Sequence, residues 1–217
     1  MLITKIVSAC NVLVKSTANK FGFQYVGIGR VPVVTMLGLV NDDIEIVLDI
    51  GANSGQFCRY ITRLMPAVEL HAFEPLPTAY RELEIWKNKN EQYSVRTYHL
   101  ALGDIMGVKQ LNEHMEFSPS SSFLNSTELL ENKYPDLALQ KKTEVKVDRL
   151  DNVLFDYLHA SNKKILVKMD VQGYEEVVLA GAEKCLSIVN AVVIEVSLID
   201  LYENQAKFHN LVSKRKN

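Results

Sequence analysis

The stretch VLDIGANSGQF, residues 47–57, holds the first residues whose types and spacing could do chemistry. An apolar run ends in Asp49 and breaks into Gly51, Asn53 and Gly55. Glycines directly after a strand let the chain turn tightly and bring backbone N–H groups against a ligand near the start of the next helix. Dinucleotide sites carry glycines at relative positions one, three and six. Here they fall at one and five, with Gln56 at six, so a pyrophosphate is poorly served. Glu74, in HAFEP, follows Gly55 by 19 residues, where an acid at a strand end can accept hydrogen bonds from both hydroxyls of a ribose. A nucleoside without a diphosphate fits these two features better.

A second constellation lies in VKMDVQGYE. Asp170 stands at a strand mouth and Glu175 one turn into the following helix, so both carboxylates could point into one crevice and hold a hydroxyl. Asp170 is the first choice for a general base, with a helix N-cap as the plain alternative. For Glu175 the plain alternative is a first-turn acid that complements the helix dipole. Glu195, in VIEVS, is hard to accommodate as an unpaired core charge and is expected to face the crevice as a third catalytic candidate. Asp170 with Glu195 could instead hold Mg²⁺, since two hard oxygen ligands on adjacent strands suit that ion. His99 reads as a core histidine within a strand, and His114 falls in a long loop with Ser120, Ser121 and Ser122, either a lid or a solvated segment. Tyr80 and Trp86 read as helix packing, and Lys168 as a strand lysine that snorkels to solvent.

The elements that must position these residues alternate along the chain. EIVLDI and SGQFCRYITRLM, then VELHAFE and TAYRELEIWKNK, give strand and helix in turn, and VRTYHLAL reads as a third strand. The pattern loosens from Gly103 through Asp136, and a polar stretch of that length in a compact domain is usually functional or mobile. TEVKVDRL alternates as a half-buried strand, a hairpin partner for something in the loop before it. NVLFDYLHA is a short helix, KILVKMD and AVVIEVS are buried parallel strands, and YEEVVLAGAEKCL between them has helical spacing. The expected fold is α/β: a Rossmann-like, doubly wound, mostly parallel sheet of five main strands with helices on both faces and a crevice at the strands' carboxyl ends. Residues 1–44 read as an N-terminal helical flank, 45–202 as the main domain, and 203–217 as a C-terminal helix and basic tail.

Composition narrows the class. Among 217 residues, 47% are hydrophobic and 23% charged, which supports a real core, and a net charge of −2 supplies no field to steer nucleic acid. Cys10, Cys58 and Cys185 are far apart and in no CxxC spacing, so neither a disulfide framework nor a zinc site is indicated and a cytoplasmic setting is expected. The apolar stretch bracketed by Lys5 and Lys15 is too short to span a bilayer, so no stable membrane insertion is expected.

DIGANSG paired with AFEP resembles the S-adenosylmethionine-dependent methyltransferases of the Rossmann-like class, and DIGANSGQF, FEP, ALGD and VKMDVQGYE in that order resemble the FkbM family. The resemblance runs from about residue 45 to residue 202. It implies S-adenosyl-L-methionine as cofactor and O-methylation of a hydroxyl on a glycan, glycolipid or secondary metabolite. It also implies Asp49, Gly51, Asn53 and Gly55 around the methionine part of the cofactor, Glu74 on the ribose, and Leu102, Gly103 and Asp104 beside the adenine. Members of this class usually end their sheet with two further strands, whereas the 21 residues after Val196 show no strand pair. A truncated or catalytically inactive cofactor-binding relative is therefore one alternative, and completion of the open sheet edge by a second copy another. A NAD-dependent oxidoreductase is the alternative from a different enzyme class.

Overall fold

The computed structural model describes residues 43–137 and 139–213; the expected N-terminal flank, with Cys10, and the last four residues of the basic tail lie outside them. Five strands form one parallel sheet: β1 (Ile46–Ile50), β2 (Glu69–Phe73), β3 (Ser94–Tyr98), β7 (Ile165–Met169) and β8 (Ala191–Ile194). Their order is β3-β2-β1-β7-β8, as expected of a Rossmann-like fold. The chain order reverses beside β1, which places a switch-point crevice between the carboxyl ends of β1 and β7. All five residues of β1 and of β2 are buried, the polar Asp49, Glu69 and His71 among them. Helices α1 (Gln56–Leu64), α2 (Pro77–Asn88) and α4 (Leu150–Ser161) connect the strands. The main core joins Ile46, Leu48 and Ile50 to Leu150, Leu154, Leu158, Val167 and Met169. No helix among the described residues is long and apolar enough to cross a membrane.

A second sheet departs from the sequence reading. VRTYHLAL is not one strand: β3 ends at Tyr98, and Ala101–Leu102 (β4) pairs in parallel with Val147–Asp148 of β6 (Gln140–Asp148). His99, at the break, is exposed and stacks on Tyr80 with ring centroids 4.6 Å apart, so it is not a core histidine. Within the loose region lies a full strand, β5 (Gly107–His114), antiparallel to β6 from Gly107 opposite Val147 to His114 opposite Gln140. This is the hairpin partner that TEVKVDRL required. The strand escaped the alternation test because its buried end is polar: Asn112, Glu113 and His114 are all buried and bonded. His114 Nδ1 lies 2.6 Å from the Leu137 carbonyl, within the fold and away from solvent. Short helix α3 (Glu128–Lys133) follows the hairpin's first arm.

YEEVVLAGAEKCL is likewise two helices, α5 (Glu175–Ala180) and α6 (Glu183–Leu186). A Cβ on Gly181 would stand 1.7 Å from the Gly103 carbonyl oxygen, so the chain bends where two backbones touch. After β8 the chain is irregular until α7 (Phe208–Ser213), shorter than the helical spacing of NQAKFHNLV suggests, because Gln205 accepts from the N–H groups of Leu201 and Tyr202 and folds this stretch into a turn.

Gly51 also has a different reason from the one its position suggests. Its φ is +81°, and a Cβ there would lie 2.0 Å from the Asp170 carbonyl oxygen. The glycine is demanded by the close approach of the two strand ends, not by an incoming ligand. Gly51→Ala is therefore expected to lower unfolding free energy by roughly 2 to 4 kcal/mol through backbone strain and overpacking, read from urea denaturation. A variant within about 0.5 kcal/mol of wild type, the usual range for surface changes, would refute this account.

Candidate active site

The loop from Gly51 to Gly55 is closed on itself. The N–H groups of Gly51 and Ala52 donate to the Phe73 carbonyl (3.1 and 2.9 Å), and that of Asn53 to Glu74 Oε2 (2.7 Å). The Ser54 N–H donates to Asn53 Oδ1 (2.8 Å) and the Gly55 N–H to the Ala52 carbonyl (2.9 Å). Every backbone donor of the loop thus has an internal partner, and none is left to cradle a phosphate. Asn53 itself takes a left-handed conformation (φ 48°), which asparagine tolerates better than most side chains.

Glu74 is the keystone of this loop. It is buried, with Oε2 accepting from Asn53 and Oε1 from the Leu76 N–H (2.8 Å). Burial pushes its carboxyl up to about 7 even though both N–H groups favour the ionised form. The carboxylate retains unfilled lone pairs on both oxygens.

Beneath the loop runs an ion-pair cluster that the sequence reading missed. Asp49 and Lys168 are register partners on β1 and β7, and their side chains meet with Nζ 3.1 Å from Asp49 Oδ1. Lys168 Nζ also lies 3.7 Å from Asp170 Oδ2 and donates to the Gly51 carbonyl (3.3 Å). Burial opposes the Lys168 charge, but the Asp49 and Asp170 carboxylates outweigh it and raise its pKa. Lys168 therefore does not snorkel; it is a buried cation bridging two strand ends. A lysine inside LVKMD, flanked by fully buried residues, was the available signal. Cys58 Sγ donates to the other Asp49 oxygen (3.2 Å), and burial and that charge push its thiol well up.

A cavity of about 240 Å³ opens above this cluster. Gly51, Asn53, Glu74, Leu102 and Asp170 line it, together with Lys168. Its apolar lining includes Leu76, Leu100, Leu102, Phe123 and Tyr174, with the Phe123 and Tyr174 rings 4.7 Å apart. Its polar lining includes Asn53, Gln56, Lys168, Asp170 and Gln172. The roof is SPSSS, neither solvated nor loose: Ser118–Ser120 form a 3₁₀ turn, Asn53 Nδ2 donates to Ser118 Oγ (3.0 Å), and Ser122 Oγ donates to the Gln172 carbonyl (2.7 Å).

Several expected site residues stand elsewhere. Asp49 is fully buried below the cavity rather than on its wall, and Gly55 packs against Leu83, 2.8 Å from where its Cβ would be. Gly103 and Asp104 do not border the cavity. The Gly103 N–H continues the pairing with β6 by donating to the Asp148 carbonyl, and Arg149 holds the Asp104 carbonyl, which turns the chain away after Leu102. Glu175 does not share the main cavity with Asp170. Its Oε1 accepts from the N–H groups of Val171 and Gly173, fixing a loop in which Gln172 and Gly173 are both left-handed (φ 54° and 93°).

Asp170 divides the main cavity from a second, of about 160 Å³, which Glu175, Glu195, Ser197, Tyr202 and Gln205 help to line. Glu195 is exposed at its rim rather than in the core, and the Asp170 charge, followed by burial, raises its carboxyl pKa. Among the described residues no three His, Cys, Asp or Glu side chains converge as a metal site.

Four motifs, a closed glycine loop and a cavity at the switch point now stand together. Residues 49–215 match the methyltransferase FkbM domain. The chain belongs to this family. Among FkbM relatives, it is 27% identical to the 2-O-methyltransferase NoeI of Sinorhizobium fredii, over 78% of this chain and 70% of that protein. It is 30% identical to the methyltransferase sdnD of Sordaria araneosa, over 69% and 65%, and 27% identical to the 31-O-demethyl-FK506 methyltransferase FkbM of Streptomyces tacrolimicus, over 64% and 60%. The chain thus spans less than two thirds of the length of the last two.

The buried pair makes a direct prediction. Lys168→Met would leave Asp49 buried without its cation, so unfolding free energy is expected to fall by roughly 3 to 5 kcal/mol. Urea denaturation at neutral pH measures this, and a loss below about 1 kcal/mol, the scale of an exposed pair, would contradict it.

Proposed function

We propose that this FkbM-family chain binds S-adenosylmethionine in the main cavity and methylates a hydroxyl of a small molecule or glycan. The observation that carries the reading is Glu74, a buried carboxylate with free lone pairs on the wall of a cavity lined by both apolar and polar side chains. That arrangement suits a nucleoside: the base in the slot of Leu100, Leu102, Phe123 and Tyr174, the ribose hydroxyls on Glu74, and the amino-acid portion toward Asn53, Gln56 and Lys168. When bound, the cofactor supplies an electrophilic methyl group on a sulfonium sulfur. Asp170, which lines the same cavity, orients the acceptor hydroxyl and takes its proton, while Gln172 Nε2, donating to Asp170 Oδ1 (2.8 Å), fixes the carboxylate's plane.

The oxidoreductase reading is disfavoured by the same loop. A dinucleotide pyrophosphate needs free backbone N–H groups at the glycine turn, and all five from Gly51 to Gly55 are occupied within the protein.

Two measurements test the reading. The affinity of S-adenosylhomocysteine should follow ionisation of Glu74, because the carboxylate is the stronger acceptor for ribose hydroxyls. With a pKa of about 7, raised by burial, affinity is expected to rise with pH, by up to about tenfold between pH 6 and 8, and to lose this step in Glu74→Gln. Calorimetry reads this, and a flat wild-type profile or comparable NADH binding would sink the assignment. For Asp170→Asn, single-turnover methyl transfer is expected to drop by roughly 10² to 10⁴ with cofactor affinity nearly unchanged. Near-wild-type turnover would remove Asp170 from the chemistry.

A further inference from the structure

The second cavity is not needed to hold a nucleoside, and its composition is one-sided. It shares the side chains of Asp170 and Gln172 with the main cavity, so the two spaces meet at the same carboxylate. Its remaining wall comes from the carboxyl end of β8 and the turn after it: Glu195, Ser197, Tyr202 and Gln205. Among the described residues no Lys, Arg or His borders it, while Asp170, Glu175 and Glu195 do. Lys168, the nearest cation to Asp170, is 15% exposed in its side chain, lies on the main-cavity side and is already engaged with Asp49. The Ser197 hydroxyl and the Gln172 amide add uncharged hydrogen-bonding groups. The walls are firmly held: Tyr202 OH donates to the Ser120 carbonyl (2.6 Å) of the main cavity's roof and lies 3.2 Å from Gln172 Oε1, while Gln205 Nε2 donates to the Ile199 carbonyl (2.8 Å).

We infer that this second cavity receives the methyl acceptor and selects it by charge, taking hydroxyl-rich acceptors that are neutral or cationic and rejecting those that carry phosphate, sulfate or carboxylate beside the reacting hydroxyl. The inference rests on the methyl-transfer reading of the main cavity. Its physical basis is the cost of setting an anion against carboxylates without a compensating cation, a repulsive device that discriminates without needing tight attraction for the right partner. Hydroxyls suit the same walls, since ionised carboxylates accept from them and the amide and hydroxyl side chains can both donate and accept. The hydroxyl that reaches Asp170 would be the one at the junction of the two spaces.

The test uses the full chain with S-adenosylmethionine carrying a labelled methyl group. A polar-metabolite and oligosaccharide extract is separated by ion exchange into neutral, cationic and anionic fractions. Label is expected in the neutral or cationic fraction; preferential labelling of the anionic fraction would overturn the inference. The same measurement on Glu195→Lys, a change at an exposed position, is expected to raise the ratio of anionic to neutral labelling by about tenfold while S-adenosylhomocysteine affinity stays within about twofold. An unchanged ratio would show that acceptors do not pass through this cavity. If no fraction is labelled although S-adenosylhomocysteine binds, the cavity's acceptor role is refuted and the cofactor reading stands. If S-adenosylhomocysteine does not bind at all, the methyl-transfer reading itself has failed.

Discussion

The carboxyl ends of β1 and β7 stand so close that nothing larger than hydrogen fits at residue 51, and the site depends on that approach. It brings the Gly51 carbonyl within reach of Lys168 and puts Asp49 and Asp170 on either side of the same ammonium group. A β-carbon at Gly51 would push the strands apart and break this bridge. Because β1 also pairs with β2, the approach fixes Glu74 across the crevice from Asp170. The placement of Glu74 and Asp170 is thus set by one backbone contact and one largely buried cation.

Charge is distributed along the crevice in a graded way. Asp49 is fully buried and neutralised by Lys168; Asp170 is partly exposed, shares the same lysine and faces both cavities. Glu195 is exposed and holds its proton more tightly because Asp170 is charged. Glu74, on the other side, has no cation of its own and is held by two backbone N–H groups, which position the carboxylate without cancelling the cost of burial. Four carboxyls in one region thus have four distinct environments, the condition under which one group can bind while another moves a proton.

The roof of the main cavity belongs to neither the parallel sheet nor its helices. It follows the β5 arm of the hairpin and is tied to the glycine loop through Ser118, to the Asp170 loop through Ser122 and to the post-β8 turn through Tyr202. Phe123, next to these serines, supplies one face of the apolar slot. Loops fixed on a rigid scaffold in this way can change what is admitted without disturbing the strands beneath.

The sequence by itself determined the mostly parallel sheet with its helices and the place of Glu74 and Asp170 at strand ends. Buried strands are mostly apolar and the turns at their ends carry small or acidic residues, so both leave marks in one dimension. Tertiary structure alone decided what those residues touch. Gly51 could not be recognised as a strand-packing glycine because the Asp170 carbonyl is far away in sequence; β5 was hidden because its buried Asn112, Glu113 and His114 are satisfied by distant partners. Lys168 read as a snorkelling strand lysine and Glu175 as a crevice carboxylate or a first-turn acid until the fold supplied Asp49 for one and a left-handed loop for the other. A polar side chain's role is set by its partner, and the partner is chosen by folding; an apolar side chain's role is set by burial, which periodicity already reveals.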